Sequence, residues 1–168
     1  LLKEIGYAGN AMKETGMYAE SIYIGGGTPT TLSAEQLDIL IQKTKECFDL
    51  TKCIEFTVEA GRPDTITEEK LKVISKHEIG RISINPQTMK DETLKLIGRL
   101  HTVEDIREGF KTANRAGDFI VNADLIAGLP GETPEDFKST LEEVISLGPS
   151  NITVHTLAVK RASKLIET

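Results

Sequence analysis

The sequence predicts an α/β fold of parallel strands with outer helices. Three observations carry it. Short β-rich apolar segments alternate with helix-patterned stretches along the whole chain, most of the helical stretches open on a capping residue, and no linker or low-complexity segment divides them. Repeated strand–helix units imply parallel strands joined by right-handed crossovers. A β/α barrel and an open parallel sheet both fit this pattern. An open three-quarter barrel fits best once the residues at the strand ends are weighed.

Taken in order, Leu2, Ile5, Ala8 and Met12 mark a first, glycine-weakened helix. Ile22 to Ile24 read as a strand that runs into Gly25-Gly26-Gly27-Thr28-Pro29-Thr30. Ser33 with Gln36 reads as a capping box, followed by Leu37, Leu40, Ile41, Thr44 and Phe48 at helical spacing. A strand follows over roughly 54–58. Thr67 can cap the next helix, with Glu68 and Glu69 suited to its dipole and Leu71 and Ile74 facing inward. Arg81 to Ile84 form another strand. Two helical stretches, about 91–98 and 102–116, come next, with Thr102 as a cap and Val103, Ile106 and Phe110 as a stripe. A longer strand covers 119–126. Gly128-Leu129-Pro130-Gly131 turns the chain into Thr133-Pro134-Glu135-Asp136, a capped helix start with proline at the first helical position. Gly148-Pro149 stops that helix, and Ile152 to Val154 form the last strand.

The chain has 168 residues, 39% hydrophobic and 27% charged, without tryptophan. That suffices for one domain with a real core. A formal net charge of -6, with scattered Lys and Arg, argues against a nucleic-acid surface. No apolar run approaches bilayer-spanning length, so no membrane span is expected. The chain opens Leu1-Leu2-Lys3-Glu4 in a helical pattern, without a signal peptide and without an initiator Met, as an excerpt of a longer protein would. Cys47 and Cys53 are too few for a disulfide framework and match no metal-binding spacing. They read as structural thiols in a reducing, cytoplasmic setting.

In parallel α/β folds, ligands meet the carboxyl ends of the strands. Read there in turn, the strands offer Gly25, Gly26, Gly27 and Thr28; then Glu59; then Asn85, Pro86 and Gln87; then Asp124 and Gly128-Leu129-Pro130; then His155. Three successive glycines let a ligand's polar groups approach the backbone closely. Each residue has a plainer alternative. The glycines can be a tight turn, Glu59 can pair with Arg62, and Gln87 can satisfy a local backbone group. Asp124 sits in an apolar run where an isolated carboxylate is costly, so it needs a bonded or ligand role. Arg99, at a helix–helix junction before His101, is either a solvated helix end or a carboxylate clamp. A P-loop is excluded, because no Gly-Lys-Ser or Gly-Lys-Thr follows the glycines.

Four segments, YIGGGTPTTLSAEQL, FTVEAGRPDTIT, RISINPQTMKDETLKLIGRLHT and NADLIAGLPGETPEDF, together resemble the radical S-adenosylmethionine superfamily. More narrowly they resemble the oxygen-independent coproporphyrinogen III oxidase (dehydrogenase) group. TVEAGRPDTIT, INPQTM and ITVHTLAVKRAS look most like a Gram-positive subgroup of it. The resemblance spans nearly the whole chain. It implies a partial (β/α)6 barrel, with 1–168 as the central part of the core domain, truncated at both ends. It implies that Gly26, Gly27 and Thr28 contact the methionine amino end of S-adenosylmethionine. Glu59 would bind its ribose or amino portion, Gln87 and Arg99 would lie beside nucleoside and carboxylate, Asp124 would contact the ribose hydroxyls, and Gly128 would flank the adenine. It further implies oxidative decarboxylation of porphyrinogen propionates to vinyls in haem biosynthesis, with a porphyrinogen substrate and an electron donor as partners.

One departure is large. The family's CxxxCxxC loop holds three irons of a [4Fe–4S] cluster, and it is absent here. Cys47 and Cys53 cannot replace it, so the fragment alone is expected to be inactive, with the cluster a property of the full-length protein. Other readings stand beside this one: a haem carrier of the same branch or another radical SAM enzyme, and an unrelated β/α-barrel enzyme holding phosphate at GGGT. The latter lacks a cationic partner beside the glycines.

Overall fold

A computed structural model describes residues 1–158. The last part of ITVHTLAVKRAS, from residue 159 on, lies outside the described residues. Five strands form one sheet in the order β1-β2-β3-β4-β5. They are β1 (Ser21–Ile24), β2 (Glu55–Glu59), β3 (Arg81–Gln87), β4 (Ile120–Ala127) and β5 (Asn151–Thr156), and every neighbouring pair is parallel. The helices are α1 (Leu2–Glu14), α2 (Ala34–Cys47), α3 (Glu68–Lys76), α4 (Asp91–Leu96), α5 (Val103–Ala116) and α6 (Pro134–Ser146).

Neighbours in the sheet are neighbours in sequence, so the order never reverses. A doubly wound sheet does reverse, and its helices cover both faces. With right-handed crossovers throughout, the sequential order sends every connecting helix to the same face. The result is a stretch of β/α-barrel wall, as expected, with helices on its outside.

Strand alternation then sorts the side chains. Val58, Ile82, Ile84, Val121, Ala123 and Leu125 point to the helices and form a buried core with Leu37, Ile41, Leu71, Ile74, Ile106 and Phe110. Their neighbours Thr57, Glu59, Ser83, Asn85, Asn122 and Asp124 point to the opposite, inner face.

The helix starts follow local chemistry. Ser33 with Gln36, Thr102 with Asp105, and Thr133 with Asp136 form reciprocal capping boxes on α2, α5 and α6. Thr67 caps α3 through its hydroxyl alone.

The structure differs from the sequence reading in three places. The expected stripe of α1 packs only in part: Ile5 and Met12 are half-buried, Leu2 and Ala8 are exposed, and Gly9 is the helix's buried residue. A Cβ at Gly9 would collide with the Cys47 carbonyl, so close backbone approach to α2 replaces apolar interdigitation. β3 runs on through Asn85 and Pro86 to Gln87. Proline is tolerated there because the pairing with β4 shifts register between Ile84 and Gln87. Finally, short 3-10 turns at Pro29–Thr31 and Pro63–Thr65 follow β1 and β2.

Candidate cofactor site at the carboxyl ends of the strands

The parallel arrangement delivers the ends of all five strands to one rim. Gly26, Gly27 and Thr28 leave β1, Glu59 ends β2, Gln87 ends β3, Asp124 lies in β4 and Gly128 follows it. Direct hydrogen bonds join several of them. The Gly26 amide donates to Glu59 Oε2 at 3.3 Å, and Asn85 Nδ2 donates to Glu59 Oε1 at 3.1 Å. The Ser83 hydroxyl lies 3.0 Å from Asn85 Oδ1 and 3.4 Å from Asp124 Oδ2. It has one hydrogen, and the shorter contact takes it, which leaves Asp124 Oδ2 with spare acceptor capacity. Asn122 Nδ2 donates to Ser83 Oγ at 3.3 Å and to Asp124 Oδ1 at 2.5 Å, and Thr153 donates to Asn122 Oδ1 at 3.0 Å. One chain of polar groups thus crosses the inner face from β1 to β5.

Glu59 is the best-defined member. It bonds β1 and β3 and does not pair with Arg62. Arg62 instead makes two hydrogen bonds to Asp64, at 2.9 and 3.3 Å. Glycines flank the carboxylate. A Cβ at Gly25 would meet the Tyr23 ring and come within 2.8 Å of Glu59 Oε2. A Cβ at Gly61 would come within 2.9 Å of both Glu59 Oε1 and Asn85 Nδ2. Gly26 has a φ of 102°, so the turn itself also needs a glycine.

Gln87 is buried, with a φ of 68°, and its side chain has no hydrogen bond among the described residues. The local-backbone alternative therefore has no support. Arg99 is off the strand ends, on the segment between α4 and α5, half-buried and without an ion pair among the described residues. His155 lies inside β5, exposed, opposite Ile126.

Sequence reasoning missed Tyr23, Ser83, Asn122 and Thr153 as members of the inner face. Their signal was the period of two shared by Thr57/Glu59, Ser83/Asn85 and Asn122/Asp124. Tyr23's phenol is pushed up to about 12, by burial first, then by the charges of Glu59 and Asp124 and a hydrogen bond to Glu59. The residue is 58% exposed, so the two carboxylates matter more here than burial alone would suggest. His101 was missed as well. Its ring is fully buried, neither nitrogen has a hydrogen-bond partner among the described residues, and Asp64 Oδ1 stands 3.9 Å away. Burial, followed by the charge of Arg99, holds its pKa below the usual value, which favours the neutral ring.

The two thiols lie elsewhere. Cys47 is buried at the end of α2, and Cys53 precedes β2, at the opposite end of the strand from Glu59. No group of three or more His, Cys, Asp or Glu among the described residues is placed to hold a metal ion, and no helix among them is long and apolar enough to cross a membrane.

Comparison with known proteins agrees with this fold. The chain is 50% identical over 158 residues to the oxygen-independent coproporphyrinogen-III oxidase-like protein HemZ of Bacillus subtilis, covering 94% of this chain and 32% of that protein. It is 39% identical over 140 residues to the heme chaperone HemW of Lactococcus lactis, covering 83% of this chain and 37% of the relative. Among solved structures, coproporphyrinogen III oxidase (HemN) from Escherichia coli, described as a radical SAM enzyme, superposes with a TM-score of 0.81 at 30% identity, over 94% of this chain and 36% of that one. The chain therefore spans about a third of the length of these relatives. The Radical SAM superfamily model matches residues 2–144, most of the described chain, and the chain belongs to that superfamily.

Proposed function

We propose that these residues form the S-adenosylmethionine-binding side of a radical enzyme acting on porphyrinogens, as the central part of its core domain. The continuous polar chain from the Gly26 amide through Glu59, Asn85, Ser83 and Asn122 to Asp124 carries the reading. Its chemistry fits the cofactor's exposed groups. Two carboxylates, Glu59 and Asp124, can accept from an ammonium and from ribose hydroxyls. Arg99, without an ion pair among the described residues, offers its guanidinium for a carboxylate. Gly26, Gly27 and Thr28 present backbone to the amino end, Gln87 lies beside the nucleoside, and Gly128 leaves space for a flat base. When bound and reduced by one electron, S-adenosylmethionine supplies hydrogen abstraction from a substrate carbon. Cys47 and Cys53 do not fit an iron–sulfur cluster, which takes several thiolates at one place. Cluster ligation is no part of what these residues do.

The test is calorimetric titration of S-adenosylmethionine into the intact protein. Asp124→Asn keeps the shape and removes the acceptor charge, so affinity falls roughly tenfold or more on this reading. Unchanged affinity overturns it.

For the whole protein we propose oxidative decarboxylation of porphyrinogen propionates to vinyls, in which an external donor would supply the electron that S-adenosylmethionine takes up and an electron acceptor would receive the electron released with each carbon dioxide. The 39% identity to a heme chaperone favours a second reading, a haem carrier. Anaerobic incubation with coproporphyrinogen III separates them. Vinyl product with one carbon dioxide per propionate supports the enzyme, and tight haem binding without turnover supports the carrier.

A further inference from the structure

Lys70 occupies a position where the chain's other capped helices carry something else. At the third helical position, α2 has Gln36, α5 has Asp105 and α6 has Asp136, and each reaches back to its cap residue's amide. In α3 the same position is Lys70, with no such return bond. A cation in the first turn also opposes the helix dipole. The chain breaks its own rule at one helix, and a local rule broken without local gain points to a role elsewhere.

The side chain shows where. Lys70 Nζ donates to the Thr30 carbonyl at 2.6 Å and to the Thr65 carbonyl at 3.1 Å. Thr30 belongs to the 3-10 turn after β1, and Thr65 to the one after β2. The two turns also touch directly, with Thr30 and Thr65 hydroxyls 2.6 Å apart. Thr65 gives its hydrogen to the Arg62 carbonyl at 2.7 Å, so Thr30 is the donor between them. Thr30 is fully buried. Lys70 has no carboxylate partner among the described residues, so its charge is spent on backbone carbonyls of two loops. One loop leads out of Gly25-Gly26-Gly27. The other leads out of Glu59 and Gly61. The Gly26–Glu59 hydrogen bond spans the same gap on the ligand side.

We infer that Lys70 is a positioning residue that locks the glycine loop to the Glu59 loop, and so holds the amino-end subsite of S-adenosylmethionine in its binding geometry. This rests on the cofactor reading above. Lys70 itself does not touch the ligand. Its ammonium fixes the spacing of two backbone segments whose far sides do.

The experiment compares wild type, Lys70→Met and Lys70→Arg in the intact protein, reconstituted anaerobically with iron and sulfide. Titration with S-adenosylmethionine gives Kd, thermal unfolding gives Tm, and hydrogen exchange reads the amides of residues 25–28. Lys70→Met is expected to raise Kd roughly tenfold at a temperature well below its Tm and to speed exchange at residues 25–28 selectively. Lys70→Arg keeps the charge and can span both carbonyls, so it restores most of both. A Tm that falls while Kd stays within about twofold of wild type and residues 25–28 exchange at the wild-type rate overturns the inference. If wild type does not bind S-adenosylmethionine, the cofactor reading fails. The exchange rates then still decide whether Lys70 couples the loops.

Discussion

The two faces of the sheet are made from alternate residues of the same strands and do opposite jobs. On the helix side, Val58, Ile82, Ile84, Ala123 and Leu125 are completely buried among other apolar side chains. One residue away, Glu59, Ser83, Asn85, Asn122 and Asp124 are joined by hydrogen bonds across three strands. The first face holds the fold by burial, which is non-directional and tolerant of small shifts. The second is directional, and each member is set by its partners. Stability and binding should therefore respond to different substitutions on one strand.

The largest separation is expected from Leu125→Ala. This side chain is fully buried, and truncation should cost about 2–5 kcal/mol of stability, read by urea unfolding. The molecules that remain folded should bind S-adenosylmethionine as wild type does. A large loss of affinity at full folding would break the division between the faces. Next is Glu59→Gln. It replaces a charged acceptor of two hydrogen bonds and should weaken S-adenosylmethionine by about 1.5–3 kcal/mol, roughly tenfold to a hundredfold in Kd.

How much of this could be read beforehand depended on range. The caps at Ser33, Thr102 and Thr133 were legible because each is settled within four residues. The rim was legible because parallel strands must end together. The inner face was less so. A parallel sheet is usually covered on both sides and reads as continuous apolar runs, which hides a period of two. Pro86 also reads as a stop, yet β3 continues through it, because the register shift that accommodates it is a property of the β3–β4 pair. Lys70 had no sequence signal of its own beyond being the wrong residue type for a capping box. Its partners are 40 and 5 residues away.

Two smaller effects sharpen the same comparison through pH. On the helix side, Asp136 is pushed down to about 2, first by the hydrogen bond from Lys90 Nζ and then by the backbone and side chain of Thr133. A depressed carboxyl stabilises the fold above its ordinary value of 3.8, and that contribution is lost as pH falls from there through about 2. Urea midpoints across this window should fall less steeply in Asp136→Asn than in wild type. On the inner face, Tyr23's raised pKa works in the other direction. Its contribution is complete below the ordinary value of 10.0 and is lost as pH rises from there through about 12. Phenolate absorbance of the chain's three tyrosines should show one late titration, and Glu59→Gln should bring it earlier. An unmoved curve would mean that the Glu59 charge does not reach the ring.

The glycines at 25 and 61 have a consequence for turnover. A Cβ at either position would fall within 2.9 Å of a Glu59 oxygen, so a side chain there would push the carboxylate off its hydrogen bonds to the Gly26 amide and Asn85. With glycine at both, those two hydrogen bonds hold the acceptor oriented before a ligand arrives, which lowers the reorganisation that binding costs. Attempts to retune the pocket for a bulkier or differently charged nucleoside would do better at Gly27, where an added Cβ meets open space, than at Gly128, whose φ of 81° disfavours any side chain, or at the two glycines beside this oxygen pair.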